Sequence, residues 1–409
     1  MSALMRWLLG LYVVFLGSEE YFAGPGPVYK LGVTLVVLFF LALLLGKVRI
    51  RFSTVGALMG LYASFALSST LWSVDTQRTL SYAFILVQLL VTAWITASCV
   101  EDQADIDRLT WCLVLASAFP AIALAHDYLL GGSWSLGFLK ESLKEYAGRM
   151  TFGDADPNLL AYRFVVSIIA ATHLALNARA KPLKLALFAV AGFYAATSLL
   201  TGSRGGGLAL VVATMVLLTA DLRQKKGTVL LVLAGLVVLL VVAMPYLPPG
   251  LSDRYLGIRQ EVATGSMAGR KDIYRESFES FGDHPVLGVG YLAFESASRQ
   301  HGGRGSAAHN DPLQNLVDMG LVGLGIYLVL MASLFWKASS LPPPLRGFAL
   351  GLLAAYCVPA FSITLLSMKL PWVVFGFIAG APRRQAGPSR SRVSAFARWS
   401  HREGEDRHD

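Results

Sequence analysis

Charged residues are scarce in this chain. Asp, Glu, Lys and Arg make up 15% of its 409 residues, and hydrophobic residues make up 55%. About a quarter of the residues of a soluble domain are charged, so the composition excludes an ordinary soluble protein. The sequence also contains no P-loop, no dinucleotide-binding glycine motif and no internal repeat, so it offers no pattern for nucleotide binding.

Cysteine is also rare. The chain has 3 cysteines, Cys99, Cys112 and Cys357, and each lies in or beside an apolar run. Their spacing matches neither a zinc site nor a disulfide framework. The run of residues 1–17 resembles a signal peptide with Arg6 near its start, but it lacks a small-residue cleavage site. We therefore interpret it as a retained first membrane span.

Long apolar runs recur along the chain. A helix needs about 20 apolar residues to cross a bilayer, so the run lengths predict an all-α membrane protein with about twelve transmembrane helices. The expected spans are 5–18, 30–46, 54–72, 80–99, 108–127, 158–177, 184–201, 206–221, 227–246, 314–336, 347–366 and 370–381. The last span is short and Pro371 interrupts its start, so we expect it to tilt or to be re-entrant.

The formal net charge is +9, and the basic residues concentrate in alternate connections between the apolar runs. Representative positions are Lys47, Arg49, Arg179, Lys181, Arg223, Lys225, Lys337, Arg346, Arg383 and Arg384. By the positive-inside rule these connections are cytoplasmic, which places both termini in the cytoplasm. The connection 101–108 is acidic, but acidic residues count little in this rule. The basic residues form no patch with interleaved aromatic residues, so we expect no nucleic-acid partner.

The same topology divides the chain into four parts. Residues 1–246 carry the first nine expected spans, 247–313 form one large polar loop on the outer face, 314–381 carry the remaining spans, and 382–409 form a basic tail. Within the loop, the stretch 270–281 has apolar residues at helical spacing. It predicts an amphipathic helix that lies on the bilayer surface.

A glycine-rich cluster stands at the outer end of one predicted span. Residues 201–208 read Thr-Gly-Ser-Arg-Gly-Gly-Gly-Leu. Glycines let backbone N–H groups approach an anion closely, and the planar guanidinium of Arg204 matches the geometry of phosphate oxygens. The cluster favours phosphate binding. The residues also leave open a tight hairpin whose arginine reaches the lipid headgroups.

Two further clusters lie in or beside the large loop. Gly269 and Arg270 open the predicted amphipathic helix, where the helix dipole favours an anion. His309 precedes the predicted span 314–336 and can accept a proton from a hydroxyl near neutral pH, with Asp311 or another carboxylate to orient it. The alternatives are a solvated arginine and an interfacial histidine without a catalytic role.

A fourth cluster precedes the predicted span 158–177. Asp156, Pro157 and Asn158 are typical of a helix start, because Asp and Asn side chains satisfy the free N–H groups there. Arg149 lies in the same outer segment and is a candidate substrate contact. The predicted topology places all four clusters on the outer face. Arginines beside a proton acceptor at a membrane indicate a phosphate-bearing lipid substrate and an acceptor hydroxyl.

These motifs resemble those of the O-antigen ligase and O-antigen polymerase superfamily of bacterial membrane glycosyltransferases. Arg204 and Leu208 match its Arg-x-x-x-Leu pattern, and His309 and Gly320 match its His-x(10)-Gly pattern. Residues 284–290, His-Pro-Val-Leu-Gly-Val-Gly, resemble its His-Pro-Leu-x-Gly-x-Gly loop, with valine where leucine is usual. The motifs cover about the second half of the chain.

The resemblance implies a glycosyltransferase-C-like fold in the bacterial inner membrane, with the active site facing the periplasm. It implies inverting transfer of a glycan from undecaprenyl diphosphate to the lipid A-core oligosaccharide, without a metal or another cofactor. Arg204 and Arg270 would bind the donor diphosphate, and His309 would be the general base. The remaining candidate substrate contacts are Arg149, Asn158, Asn310 and Gln314.

Four functions stay open at this point, and one of them is a protein O-glycan transferase, although such chains are usually longer. The compact chain with one large late loop and a short segment 129–156 favours an O-antigen ligase over a polymerase of O-antigen or exopolysaccharide repeat units. A polysaccharide transporter would carry charges within its spans or broken helices in paired halves. The chain has few such charges, and Arg163 is one of them, so the transporter is the weakest alternative.

Overall fold

The part of the chain that the structure describes is helical. The computed structural model describes residues 3–21, 26–47, 53–130, 149–151, 155–220 and 270–382, together with isolated positions between 227 and 251. The α-helices in the continuous ranges are α1 (Ala3–Leu16), α2 (Pro27–Leu44), α3 (Thr54–Ser68), α4 (Thr76–Cys99), α5 (Gln103–Ala116), α6 (Ala118–Leu130), α7 (Pro157–Asn177), α8 (Lys181–Leu200), α9 (Arg204–Thr219), α10 (Arg270–Asp283), α11 (Phe294–Gln300), α12 (Asp311–Ser339), α13 (Leu345–Ala360) and α14 (Lys369–Gly380).

Several predictions fall outside these ranges. Most of the predicted span 227–246, most of the outer segment 129–156 and the basic tail from residue 383 onward lie outside the described residues. The same holds for Gly269 and most of the large loop before it. The division of the chain at residues 246, 313 and 381 therefore stays a prediction.

Seven helical stretches among the described residues are long and apolar enough to cross a membrane, judged by length and composition. They are Pro27–Leu44, Thr54–Leu71, Thr76–Cys99, Gln103–Leu130, Pro157–Asn177, Lys181–Leu200 and Asp311–Ser339. The helices α1, α9, α13 and α14 are apolar but shorter, with 10–17 residues. The prediction of an all-α protein with several membrane spans is confirmed, whereas the count of about twelve stays a prediction.

The predicted span 108–127 is two helices instead of one. Helix α5 ends at Ala116, and α6 begins two residues later with Pro120 in its first turn. A proline ring clashes with the carbonyl group four residues earlier and has no N–H to donate to it. The carbonyl of Ala116 packs against Gly17, where a Cβ atom would overlap it. The end of α5, at Ala116, therefore lies in close contact with Gly17.

Helix α7 lies at the centre of the described helices. It packs against α5, α8, α9 and α13, and every side chain from Leu159 to His173 is buried. The predicted cap at its start is confirmed, since the carboxylate of Asp156 accepts the N–H of Asn158 at 2.7 Å and Pro157 is the first helical residue. The start of α7 is thus a fixed reference point for its neighbours.

The predicted amphipathic helix at 270–281 is α10. Ile273 is buried, and Tyr274 and Phe281 pack with it in a second apolar cluster that includes residues of α11 and the start of α12. Phe278 on the same helix is 58% exposed. Most of the apolar residues of α10 therefore pack against protein, and its expected position on the bilayer surface stays a prediction.

Helix α12 is interrupted at Gly320, which has φ 64° and ψ −163°. The segment 284–290 inserts at the interruption. Four backbone hydrogen bonds join the two segments: Leu321 N to Pro285 O (2.9 Å), Val322 N to Val286 O (3.3 Å), Val289 N to Val317 O (3.1 Å) and Gly290 N to Asp318 O (2.8 Å). A regular helix would pair the N–H groups of 321 and 322 with the carbonyls of 317 and 318. The inserted segment therefore replaces the helical bonds that the interruption removes.

The inserted segment is also attached to the turn between α3 and α4. The N–H of Val74 donates to the carbonyl of Val289 at 3.0 Å, and the indole of Trp72 donates to the carbonyl of Leu287 at 3.0 Å. Two sequence motifs thus form one structural unit. They are residues 284–290 and Gly320, the glycine of the His-x(10)-Gly pattern. The central contact of this unit is between Gly320 and the backbone of residues 286 and 287.

Replacing Gly320 with Ala should destabilise this unit. The added Cβ would overlap the carbonyl of Val286, and the positive φ costs a non-glycine residue about 1–3 kcal/mol. We expect a lower unfolding temperature in detergent and faster proteolysis between residues 284 and 290.

Gly325→Ala is the matched control on the same helix. A Cβ there meets nothing within 4 Å, and alanine in a helix interior is favoured over glycine by roughly 0.5–1 kcal/mol. Equal unfolding temperatures for the two variants would contradict the role assigned to Gly320.

Candidate active site

Arg204 is the first residue of α9. The hydroxyl of Ser203 caps this helix by accepting the N–H of Gly206 at 3.1 Å. The same hydroxyl donates to the side-chain oxygen of Asn158 at 3.0 Å. The cap that precedes Arg204 is thereby tied to the start of the central helix α7, which fixes where the arginine leaves the helix.

The glycines after Arg204 permit close packing on two sides. A Cβ at Gly206 would lie 2.6 Å from the Cβ of Ala161 on α7, and a Cβ at Gly205 would lie 2.8 Å from the hydroxyl oxygen of Ser362. A Cβ at Gly207 would meet nothing within 4 Å. The glycine run therefore brings the start of α9 against α7 and against the connection between α13 and α14.

Arg149 and Asn158 contact each other, and Asn158 also binds the cap residue Ser203. The guanidinium of Arg149 donates to the carbonyl of Thr201 at 2.8 Å and to the side-chain oxygen of Asn158 at 2.8 Å, and Arg149 is only 5% exposed. These bonds join the turn between α8 and α9 to α7. The structure gives both residues a supporting position beside Arg204, and substrate contact by either of them stays a prediction.

Arg270 and Asn310 both bind the connection from Phe361 to Met368, which we call the 361–368 loop. The guanidinium of Arg270 donates to the carbonyl of Ser362 at 2.9 Å. The amide of Asn310 donates to the carbonyl of Phe361 at 3.3 Å. Since the hydroxyl of Ser362 also faces the start of α9, this loop brings the starts of α9, α10 and α12 together.

Asp311 holds the 361–368 loop in place. One carboxylate oxygen accepts the N–H groups of Leu365 and Leu366 at 2.9 and 3.2 Å, and the other accepts the hydroxyl of Tyr356 at 2.7 Å. Asp311 is 0% exposed, and a buried carboxylate requires such donors. We expected Asp311 to orient His309, but both carboxyl oxygens of Asp311 bind the loop and Tyr356 instead.

His309 lies next to these contacts in an uncommon backbone conformation, with φ 49°. Burial lowers the pKa of its imidazole below the ordinary value, and the positive charge of Arg270 lowers it further, whereas Asp156 and Glu295 raise it. The imidazole therefore stays neutral at neutral pH. Neutral imidazole is the form that accepts a proton.

Gln314 and Asn310 support the backbone on either side of this histidine. The side-chain oxygen of Gln314 accepts the N–H of Ala308 at 2.7 Å, and its NH₂ group donates to Asp318 at 2.8 Å. The side-chain oxygen of Asn310 accepts a backbone N–H in the first turn of α12 at 3.0 Å. Both were expected as substrate contacts, and the polar groups of Gln314 are already used within the protein.

The arrangement suits an anion next to a neutral base. The starts of α9, α10 and α12 contact the 361–368 loop, and the start of α7 contacts the start of α9. Helix starts favour anions because they carry free N–H groups and a positive dipole end. Arg204 and Arg270 add two positive charges. Among the described residues, His, Cys, Asp and Glu side chains form no group of three that could hold a metal ion.

Sequence reasoning missed the 361–368 loop. It assigned these residues mainly to the predicted span 347–366, but α13 ends at Ala360. A signal was available, because Pro359 interrupts the run and polar residues follow it. These are Ser362, Thr364 and Ser367.

Comparison with known families supports the assignment made from the motifs. Residues 186–328 match the family model described as O-Antigen ligase. This segment contains Arg204, Arg270 and His309, so the resemblance to the O-antigen ligase and polymerase superfamily is confirmed. A comparison with curated proteins finds no match. The match and the long apolar helices together indicate a multi-pass membrane protein of glycosyltransferase-like type.

Replacing Gly206 with Ala should displace Arg204. The new methyl group would lie 2.6 Å from Ala161, so α9 must move away from α7, and overpacking of this kind costs about 1–3 kcal/mol. We expect a lower unfolding temperature and weaker binding of a diphosphate lipid. Gly207→Ala is the control that should keep both properties, and a loss of the same size in that variant would refute the packing argument.

Proposed function

We propose that the protein is an O-antigen ligase, which transfers a glycan from undecaprenyl diphosphate to the lipid A-core oligosaccharide at the periplasmic face of the inner membrane. The observation that supports the proposal is that Arg270, the neighbour of Arg204 (Gly205) and the neighbour of His309 (Asn310) all contact the 361–368 loop. Two guanidinium groups, several helix starts and a neutral imidazole provide a place for a diphosphate and a proton acceptor beside it.

The proposed reaction is a single displacement. His309 accepts the proton of an acceptor hydroxyl as the hydroxyl oxygen attacks the anomeric carbon of the donor sugar. The bond from that carbon to the diphosphate oxygen breaks, the anomeric centre inverts, and the transition state has oxocarbenium character. The proton on the imidazole is lost to water afterwards, and undecaprenyl diphosphate leaves.

The two arginines act on the leaving group in this proposal. Negative charge increases on the diphosphate as its bond to the sugar breaks, and Arg204 and Arg270 stabilise that charge. Positioned donors of this kind contribute a few kcal/mol each, roughly 2.7–4 kcal/mol, in a water-poor site. The starts of α9 and α10 contribute dipoles of the same sign. The supporting bonds of Arg149 and Asn158 keep Arg204 in place.

A polymerase of repeat units is the alternative, since it would use the same donor chemistry with a second lipid-linked glycan as acceptor. Deleting the gene and separating surface lipopolysaccharide on a gel distinguishes the two. Loss of all long chains with accumulation of lipid-linked polymer supports the ligase. A core that carries a single repeat unit supports the polymerase, and an unchanged profile refutes both.

Replacing His309 with Ala should lower the transfer rate by on the order of a hundred- to ten-thousandfold, because the general base is lost. Membrane insertion and binding of donor lipid should persist. The measurement is transfer by the purified protein with lipid-linked glycan, together with the surface glycan of cells that carry only the variant. The control is His301→Ala, because His301 is an exposed histidine of the same large polar segment, 247–313. Normal surface glycan in cells that carry only His309→Ala would refute the role of His309 as general base.

Replacing Arg204 with Lys should also abolish most transfer. A lysine keeps the positive charge but lacks the planar fork that binds two phosphate oxygens at once. We expect the loss in donor binding and in the rate of the chemical step, measured with the same purified system. The control is Arg275→Lys, whose side chain is 68% exposed. Full activity of Arg204→Lys would favour an arginine that only contacts lipid headgroups.

A further inference from the structure

The conformation of His309 is determined from both of its ends. A positive φ is uncommon for a residue other than glycine, and such a conformation persists only where its surroundings hold it. On the following side, Asn310 caps α12 and binds the 361–368 loop. On the preceding side, the N–H of Ala308 donates to Gln314 at 2.7 Å. The contact with Gln314 therefore fixes the backbone on the preceding side of the histidine.

Asp318 decides which way the amide of Gln314 points. A carboxylate can only accept hydrogen bonds. One oxygen of Asp318 accepts the NH₂ group of Gln314 at 2.8 Å, and the other accepts the N–H of Phe294 at 3.1 Å. This leaves the carbonyl oxygen of Gln314 for Ala308. Gln314 is 4% exposed and Asp318 is 1% exposed, so water does not substitute for these partners.

We propose that Gln314 and Asp318 are positioning residues for His309. They form a relay of hydrogen bonds from the start of α11, through the carboxylate and the amide, to the peptide group that precedes the histidine. The relay holds the imidazole towards the acceptor hydroxyl. This inference rests on the proposed function in one respect, namely that His309 is the general base.

The donor and acceptor pattern of the relay makes the proposal testable by single changes. In Asp318→Asn, the new NH₂ group faces the NH₂ group of Gln314. If the glutamine amide turns to relieve this contact, its NH₂ group faces the N–H of Ala308 instead. In Gln314→Glu, two carboxyl groups face each other, and they repel at a pH where both are ionised. Asp318→Asn at any pH, and Gln314→Glu at such a pH, therefore oppose like groups at one bond of a buried relay.

The double variant Gln314→Glu/Asp318→Asn restores the pattern. The carboxylate at 314 accepts the N–H of Ala308 with one oxygen and the NH₂ group of the asparagine with the other. The asparagine oxygen still accepts the N–H of Phe294. Side-chain size and net charge are unchanged by the exchange. A residue pair that acts only through this bond should therefore be rescued, which is the logic of a double-mutant cycle.

The experiment compares the full-length wild type, both single variants and the double variant, purified in lipid nanodiscs. We expect each single variant to lower kcat by about ten- to a hundredfold, which is less than the full contribution of a general base because the imidazole is displaced and not removed. The KM for the donor should change little, and the double variant should recover most of kcat. In a His309→Ala background the single changes should cause no further loss, because residues that act as a unit are not additive.

A second readout does not require the transfer reaction. Diethyl pyrocarbonate modifies neutral imidazole, and mass spectrometry of the His309 peptide as a function of pH measures how much of it is neutral. Burial lowers the pKa of His309, so an imidazole that turns towards solvent should have a higher pKa. The single variants should therefore need a higher pH for modification, the double variant should behave like the wild type, and the His301 peptide should not change.

The outcomes separate the two proposals. Single variants with unchanged kcat and an unchanged modification profile would overturn the positioning role, and so would a double variant as impaired as the single ones. If neither single variant inserts, the double variant still decides, because wild-type behaviour supports the relay and its failure refutes it. Full transfer by His309→Ala would instead remove the proposed base. If the Gln314 and Asp318 single variants still shift the modification profile of His309, the relay then remains as a structural observation.

Discussion

The buried carboxylate of Asp311 ties the start of α12 to the 361–368 loop, and the candidate site is arranged around that contact. The loop in turn receives the guanidinium of Arg270 and the amide of Asn310, and it packs against Gly205, which follows Arg204. A buried carboxyl group needs hydrogen-bond partners, and three protein groups donate to it here. Because these bonds join α12 to α13 and to the loop, the positions of the three segments are coupled.

The interruption of α12 explains why two distant motifs occur together. A helix satisfies its own backbone groups, so another segment can pair with it only where its ladder is broken. Gly320 provides the break, and residues 284–290 supply the missing partners. The same region of α12 carries Gln314, which accepts the N–H of Ala308 just before His309, and Asp318, which accepts the NH₂ group of Gln314. Packing of the loop and orientation of the histidine therefore depend on the same stretch of helix.

Some residues that the sequence marks as substrate contacts bind other parts of the protein next to the candidate site. Arg149, Asn158 and Gln314 were singled out because they are polar residues beside apolar runs. In the structure, Arg149 and Gln314 are almost fully buried and bonded to backbone groups. Sequence alone does not distinguish a polar side chain that meets a ligand from one that holds a turn, because both occur at the ends of helices.

The sequence by itself determined that the described chain consists mainly of apolar helices, and its motifs contain the chemical groups that we propose for the site. Run length and composition define helices in a membrane because the backbone must satisfy its own hydrogen bonds there, and the predicted span 158–177 agrees with Pro157–Asn177. The motifs named Arg204, Arg270 and His309. Only the tertiary structure decided that Arg270 and the neighbours of Arg204 and His309 contact the 361–368 loop. It also decided that Asp311 binds this loop and that Gln314 holds the backbone before His309. These arrangements depend on contacts between residues far apart in the chain, and no local pattern of residues encodes them.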